Sequence, residues 1–183
     1  MKAINAIRMG GVDVLPLVEG GKGVAISSGV TAGHWAAGGG AGTFSAVNAD
    51  SYDENGRVIR QVYHGKTRRD RHEELVDYAI RGGIQQARQA HEIAGGRGRV
   101  HANILWEMGG AERIITEVLE NAKGIIHGVT CGAGMPYRLS DIAARFNVHY
   151  YPIVSSARAF NALWKRAYHK AATLLGGVVY EDP

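Results

Sequence analysis

Cysteine is almost missing from this chain: Cys131 is the only one in 183 residues. That excludes an internal disulfide framework and suits a reducing, cytoplasmic compartment. Long apolar runs are missing too. No segment approaches the length of a membrane span, and the opening "MKAINAIRMGG" lacks the unbroken apolar core of a signal peptide. Charge of one sign is not in large excess, at a net +4. Much of the basic character sits in "HGKTRRDRHEE" (64–74), where acids follow at once and no aromatic residue is interleaved. This stretch reads as a solvated loop and helix start, so nucleic acid is excluded as the main partner.

Several chemical signatures are absent as well. The eight histidines show no H-x-x-x-H or H-E-x-x-H pattern, so no metal site is expected. His34 falls on a helical stretch, and His101 and His127 lie inside strand patterns, where they read as core residues. No G-x-G-x-x-G opens a helix, and neither Ser27–Ser28 nor Ser155–Ser156 has a hydrolase elbow around it. A reactive thiol at Cys131 needs a basic partner that the sequence does not assign, so it reads as a packing residue.

What the chain has in plenty is glycine, 26 residues, about twice the usual share. The glycines gather at element ends (Gly20, Gly21, Gly23; Gly38 to Gly40; Gly132, Gly134), as turn and ligand-contact glycines do. With 45% hydrophobic and 21% charged residues, the length suits one globular domain spanning 1–183.

Short apolar runs alternate with helical patterns. Strands are expected at 14–19 ("VLPLVE"), 42–47, 99–105, 124–131, 149–155 and in the closing "GVVYED" (177–182). Helices are expected near 30–39, over 71–94, 111–122 and 137–147, and as one long helix over 157–176. Leu75, Ala79, Ile80 and Ile84 share one face of the second helix, and Ile114, Ile115, Val118 and Leu119 one face of the third. The polar stretch 48–70 is too long for an ordinary connection and reads as an insertion or lid. This alternation implies an α/β fold with a parallel sheet, either doubly wound or part of an eight-stranded barrel.

Three stretches carry candidate chemistry. In "EGGKG" (19–23), adjacent glycines after a strand let the backbone approach a flat ring or a phosphate, or else make a tight turn. Asn103 is an amide inside an apolar strand and must find a partner, either neighbouring backbone or a ligand. "GVTCGAGMP" (128–136) ends a β-branched run in small residues.

Taken in order, "LPLVEGGKGVAIS…AGHWAAGGGAGTFSAV", "HANIL", "VTCGAGMPYRL" and "YYPIVSSARAF" resemble the nitronate monooxygenase family, the 2-nitropropane dioxygenase-like flavoproteins. Flavin-dependent enoyl-acyl-carrier-protein reductases are among that family's relatives. The resemblance implies a (β/α)₈ TIM barrel with FMN at the carboxyl ends of its strands, and oxidation of alkyl nitronates with O₂. A related enoyl reductase and a non-catalytic partial barrel are the alternatives. Gly21, Lys22 and Gly23 would line the flavin and Asn103 would hydrogen-bond it. Gly132, Ala133 and Gly134 would form the rim, with Ser155 beside the ring. Glu19 and Lys22 stand where the family carries glutamine and methionine. The family's catalytic histidine follows the strand matching "GGVVYEDP", so the resemblance implies no catalytic residue before Pro183. It also implies a truncated or split barrel of about six βα units, joined by a copy of itself or by a partner that supplies strands.

Overall fold

The computed structural model describes residues 4–181. It opens on a hairpin that the sequence pattern did not suggest. β1 (Ile7–Met9) and β2 (Val12–Val14) pair antiparallel through Gly10 and Gly11, both at positive φ, where a residue without Cβ is unstrained. The strand expected over 14–19 is therefore divided. Val14 belongs to β2, and residues 17–19 run alongside the main sheet with a single bridge from Val18 to Ala41. The Ala41 N–H donates to the Leu17 carbonyl, and the Glu19 N–H donates to the Ala41 carbonyl.

α1 (Gly29–Ala37) starts in a capping box formed by Ser28 and Thr31. β3 (Ala41–Ser45) follows. α2 (Arg68–Ala94) starts three residues before the expected position, because Thr67 and Asp70 form a second capping box. It ends at Gly95 in the left-handed region. β4 (Arg99–Leu105) matches the expected strand, and α3 (Ala111–Asn121) buries Ile114, Ile115, Val118 and Leu119 as its spacing requires. β5 (Gly128–Gly132), α4 (Leu139–Phe146) and β6 (His149–Val154) come next.

The single helix expected over 157–176 is broken. α5 (Ala157–Arg166) stops at Ala167, whose φ of −140° is not helical, and a 3₁₀ turn spans Tyr168–Leu174. The break seats Tyr168, fully buried, with its hydroxyl donating to the Pro136 carbonyl. β7 is short, Val179–Tyr180. Asp182, the last residue of the sixth expected strand, and Pro183 after it lie outside the described residues.

The main sheet is parallel, with order β3-β4-β5-β6-β7. A doubly wound sheet reverses its strand order at a switch point, and no reversal occurs among the described strands. Side chains alternate between the two faces. Phe44, Val100, Ala102, Ile104, Val129, Cys131 and Tyr150 join the buried residues of α1 to α4 and Leu163 of α5 in one core cluster. Thus the helices cover one face only. The other face carries Thr43, Ser45, His101, Asn103, Thr130 and Tyr151. It curls: segment 18–21 at one edge and β7 at the other border the same cleft. The five paired strands and their flanking segment form a curled sheet, and a closed eight-stranded barrel is not shown.

The insertion at 48–70 is not a lid. Tyr52 and Val58 bridge in a small antiparallel turn that is tied to α2. The Tyr52 N–H donates to Gln85 Oε1 (2.6 Å), and Tyr78 donates to Asp50 Oδ1 (2.9 Å). None of its residues lines the clefts described next.

Candidate functional site

Parallel register carries the loop after every strand to the same end of the sheet. Segment 20–23, Asn103 near the end of β4, residues 132–134 at the end of β5 and just after it, and Ser155 after β6 therefore share the carboxyl end. Two clefts open among them. The larger, about 580 Å³, lies inside the curl; its walls include Val18, Glu19, Gly21, Thr130, Tyr151 and Val179. The smaller, about 380 Å³, is lined by Ala133, Gly134, Met135, Val154, Ser155 and Ala159 among others. Ile153 and Glu181 border both.

The expected site residues divide between these spaces. Gly21 borders the larger cleft, whereas Ala133, Gly134 and Ser155 border the smaller. Lys22, Gly23, Asn103 and Gly132 border neither: Gly23 packs toward Leu105 and Val47, and the Lys22 ammonium lies 3.7 Å from Glu19 Oε1. Asn103 stands behind Gly21, 2% exposed.

The small residues have intramolecular reasons that the sequence did not reveal. A Cβ on Gly21 would meet the Asn103 side chain, one on Gly132 would lie 2.8 Å from Ile153 Cβ, and one on Gly134 would lie 2.8 Å from Glu107 Cγ. At these three positions the bare backbone first makes room for the protein's own side chains. The space open to a ligand is the curl in front of them.

Two further residues shape that space: Thr130, which the sequence reading missed, and Glu19, which it placed in the first loop without a role. Thr130 is the register neighbour of Asn103, and its hydroxyl donates to Asn103 Oδ1 (2.9 Å). Glu19 is 7% exposed, and its second carboxylate oxygen is buried with no hydrogen-bond partner. Burial lifts the Glu19 pKa above the ordinary carboxylate value, with Lys22 pulling the other way. A lone Glu beside glycines carries no sequence signal of burial. Only the bridge of Val18 to Ala41 turns this side chain inward.

Below the cleft the sheet is closed. The Arg99 guanidinium donates to the carbonyls of Met9 and Gly10, fastening the β1–β2 hairpin across the amino end of the sheet. Tyr151 packs with Met9, Val14 and Ala41, and its ring stacks on His101 at 4.8 Å. His101 and His127 are structural: burial pushes their pKa values down to about 3 and about 4. Cys131 is fully buried in the core beneath the helices, and burial pushes its thiol up, away from nucleophilic use.

Among the described residues no cluster of three His, Cys, Asp or Glu side chains is arranged to hold a metal ion, and no helix is long and apolar enough to cross a membrane. No protein-family model matches the chain, and no curated protein matches it.

The clefts can be weighed against a flavin mononucleotide in two parts. A planar ring fits the larger one. Its volume lies within the range of roughly 300–1,000 Å³ typical of small-molecule sites. Val18, Ile153 and Val179 offer apolar walls, Gly20, Gly176 and Gly177 bare backbone, and Thr130 a hydroxyl beside the Asn103 amide. The phosphate does not fit. No Lys, Arg or His lines either cleft among the described residues, and Glu19 and Glu181 face the larger one.

Proposed function

We propose that the chain is the ring-binding part of an FMN-dependent oxidoreductase of the nitronate-oxidising type, on a sheet that represents part of a (β/α)₈ barrel. The observation that carries this reading is the gathering of Gly21, Asn103, Gly132 to Gly134 and Ser155 at the carboxyl ends of consecutive parallel strands. Barrel and open α/β enzymes alike bind ligands at that end. A sheet wound in one direction, with helices on one face, supports a barrel type of winding over a nucleotide-binding doubly wound type. The ordered motif resemblance supplies the flavin and the substrate class.

In this reading Asn103, Gly21 and Thr130 hold one edge of the ring. Bound there, the flavin supplies two-electron acceptance from a carbanion-like substrate and onward transfer to oxygen. The protein contributes placement and electrostatics. The smaller cleft, with Met135, Val154 and Ala159 on its wall, accommodates a short alkyl chain and adjoins the larger one at Ile153. Tyr151 closes the floor against water from the amino end. Lys22 lies outside both clefts and acts on the site only through its pairing with Glu19.

The test is anaerobic. Protein reconstituted with FMN and mixed with an alkyl nitronate is expected to lose its visible flavin absorption, and to recover it on admission of oxygen. Bleaching by NAD(P)H together with an enoyl thioester, and not by nitronate, would move the assignment to the reductase branch. A protein that FMN cannot colour contradicts the flavin reading altogether.

A further inference from the structure

A carboxylate withdrawn from water needs a cation or several N–H donors beside it, because burying a charge without partners is costly. Glu19 is short of both. Its side chain is buried, and Oε2 has no hydrogen-bond partner. The Lys22 ammonium stands 3.7 Å from Oε1, beyond hydrogen-bond length, on a side chain 63% exposed to screening solvent. Thr43, whose backbone faces the same carboxylate, keeps its own hydroxyl buried without a partner. Burial raises the Glu19 pKa, although Lys22, Thr31 and the Thr43 backbone all favour the ionised form.

This carboxylate borders the larger cleft, which carries a second acid, Glu181. No Lys, Arg or His lines that cleft among the described residues. A cleft lined by one sign of charge, between low-dielectric walls, concentrates ligands of the opposite sign. The same charges explain why a phosphate finds no place there. The remaining walls join apolar side chains, Val18, Ile153 and Val179, to the bare backbone of Gly176 and Gly177. Such walls suit a flat, mostly apolar body that carries its charge at one end.

We propose that the larger cleft is a site for a small organic cation, an amidinium or protonated amine on an apolar body, anchored by Glu19. The N–H groups of the ligand supply the donors that the folded chain does not give this carboxylate. Glu181, exposed to solvent, adds a weaker and screened attraction. The inference goes beyond the flavin reading and does not rest on it, because it concerns the charge that the cleft accepts.

The experiment uses the full chain and three probes of nearly one shape: benzamidine (a cation), benzamide (neutral) and benzoate (an anion). Calorimetric titration is the readout. Benzamidine is expected to bind about tenfold more tightly than benzamide, the low end for a hydrogen bond to a charged group. Benzoate is expected to bind more weakly than either. Glu19→Gln keeps the shape, removes the charge and is expected to abolish the preference for the cation. Glu181→Gln is expected to change benzamidine binding by less than twofold. Lys22→Met relieves Glu19 of a competing cation and is expected to tighten benzamidine binding about two- to fivefold, the range of an exposed ion pair. That gain cannot come from loss of fold, and thermal unfolding checks that Glu19→Gln is folded. Equal binding of benzamidine and benzamide by the parent, or a preference that survives in folded Glu19→Gln, overturns the site. A larger loss in Glu181→Gln than in Glu19→Gln contradicts the assigned anchor. A parent that binds FMN but not benzamidine overturns this inference and leaves the flavin reading; benzamidine binding without FMN binding does the reverse.

Discussion

The Cβ that Gly21 lacks would stand 2.2 Å from the Cβ of Asn103, and 2.6 Å from its Cγ. The loop after residues 17–19 and the amide of β4 are thus fitted to one another at the mouth of the larger cleft. Gly20, one residue earlier, has nothing within 4 Å of its Cβ position.

Gly21→Ala therefore forces either the loop or Asn103 to move. We expect it to destabilise the protein by about 1–3 kcal/mol, the usual cost of overpacking, and to weaken flavin binding. Gly20→Ala is expected to change stability by less than about 0.5 kcal/mol, as substitutions in open space usually do. Thermal unfolding of the pair checks the contrast, and equal effects would contradict it.

Gln86 joins three elements while 3% exposed. Its Oε1 accepts from the Gly29 N–H at the start of α1, and its Nε2 donates to the Asp50 carbonyl in the insertion at 2.6 Å. Gln86→Leu leaves two backbone groups without partners, at a cost of about 1–3 kcal/mol for each group that stays buried. Urea unfolding is expected to show a loss within that range. An unchanged midpoint would mean that water replaces both bonds.

Acid destabilises the amino end of the sheet. Burial, aided by the charges of His127, Arg99 and His149, holds His101 down to about 3. Burial and the charges of Arg99 and His91 hold His127 down to about 4. The ordinary value is near 6.5. Below pH 6.5 the unfolded chain takes up these protons while the folded protein does not. Stability is therefore complete above pH 6.5 and falls as the pH drops through the window toward 4. For the fully buried His101 the slope approaches about 1.4 kcal/mol per pH unit. Urea titrations at pH 7, 6 and 5 measure it, and His101→Gln is expected to flatten the dependence. A parent curve that is flat from pH 7 to 5 would contradict this account.

Cys131, fully buried among the core side chains, is expected to resist a thiol reagent in the native protein and to react completely in denaturant. Rapid native labelling, followed by mass spectrometry, would show that β5 opens.

Some of this architecture was legible from residue pattern alone. β4 is apolar from Val100 to Leu105 apart from His101 and Asn103, and α3 repeats its apolar positions with helical spacing, so both elements stood out. The helix expected over 157–176 misled, because its composition stays helical through Ala167 while the tertiary site for Tyr168 demands a break. The hairpin of β1 and β2 is three residues per strand and mostly exposed, too short for a periodic signal. The site was legible as a set of small residues at strand ends, but not in its details. Nothing in "GVTCG" distinguishes Thr130, which faces the cleft, from Val129 and Cys131, which face the helices, until the register with β4 is known. The partners that fill the spaces at Gly21, Gly132 and Gly134 come from 21 to 82 residues away in sequence, a separation no local pattern encodes.

The central claim, that a flavin ring lies in the curl at the carboxyl ends of the strands, is tested most directly by hydrogen–deuterium exchange with and without FMN. The account predicts slowed exchange in segments 20–23, 103–105, 130–134 and 153–156 together, with the β1–β2 hairpin unchanged. Protection confined to other segments, or none at saturating FMN, would contradict it.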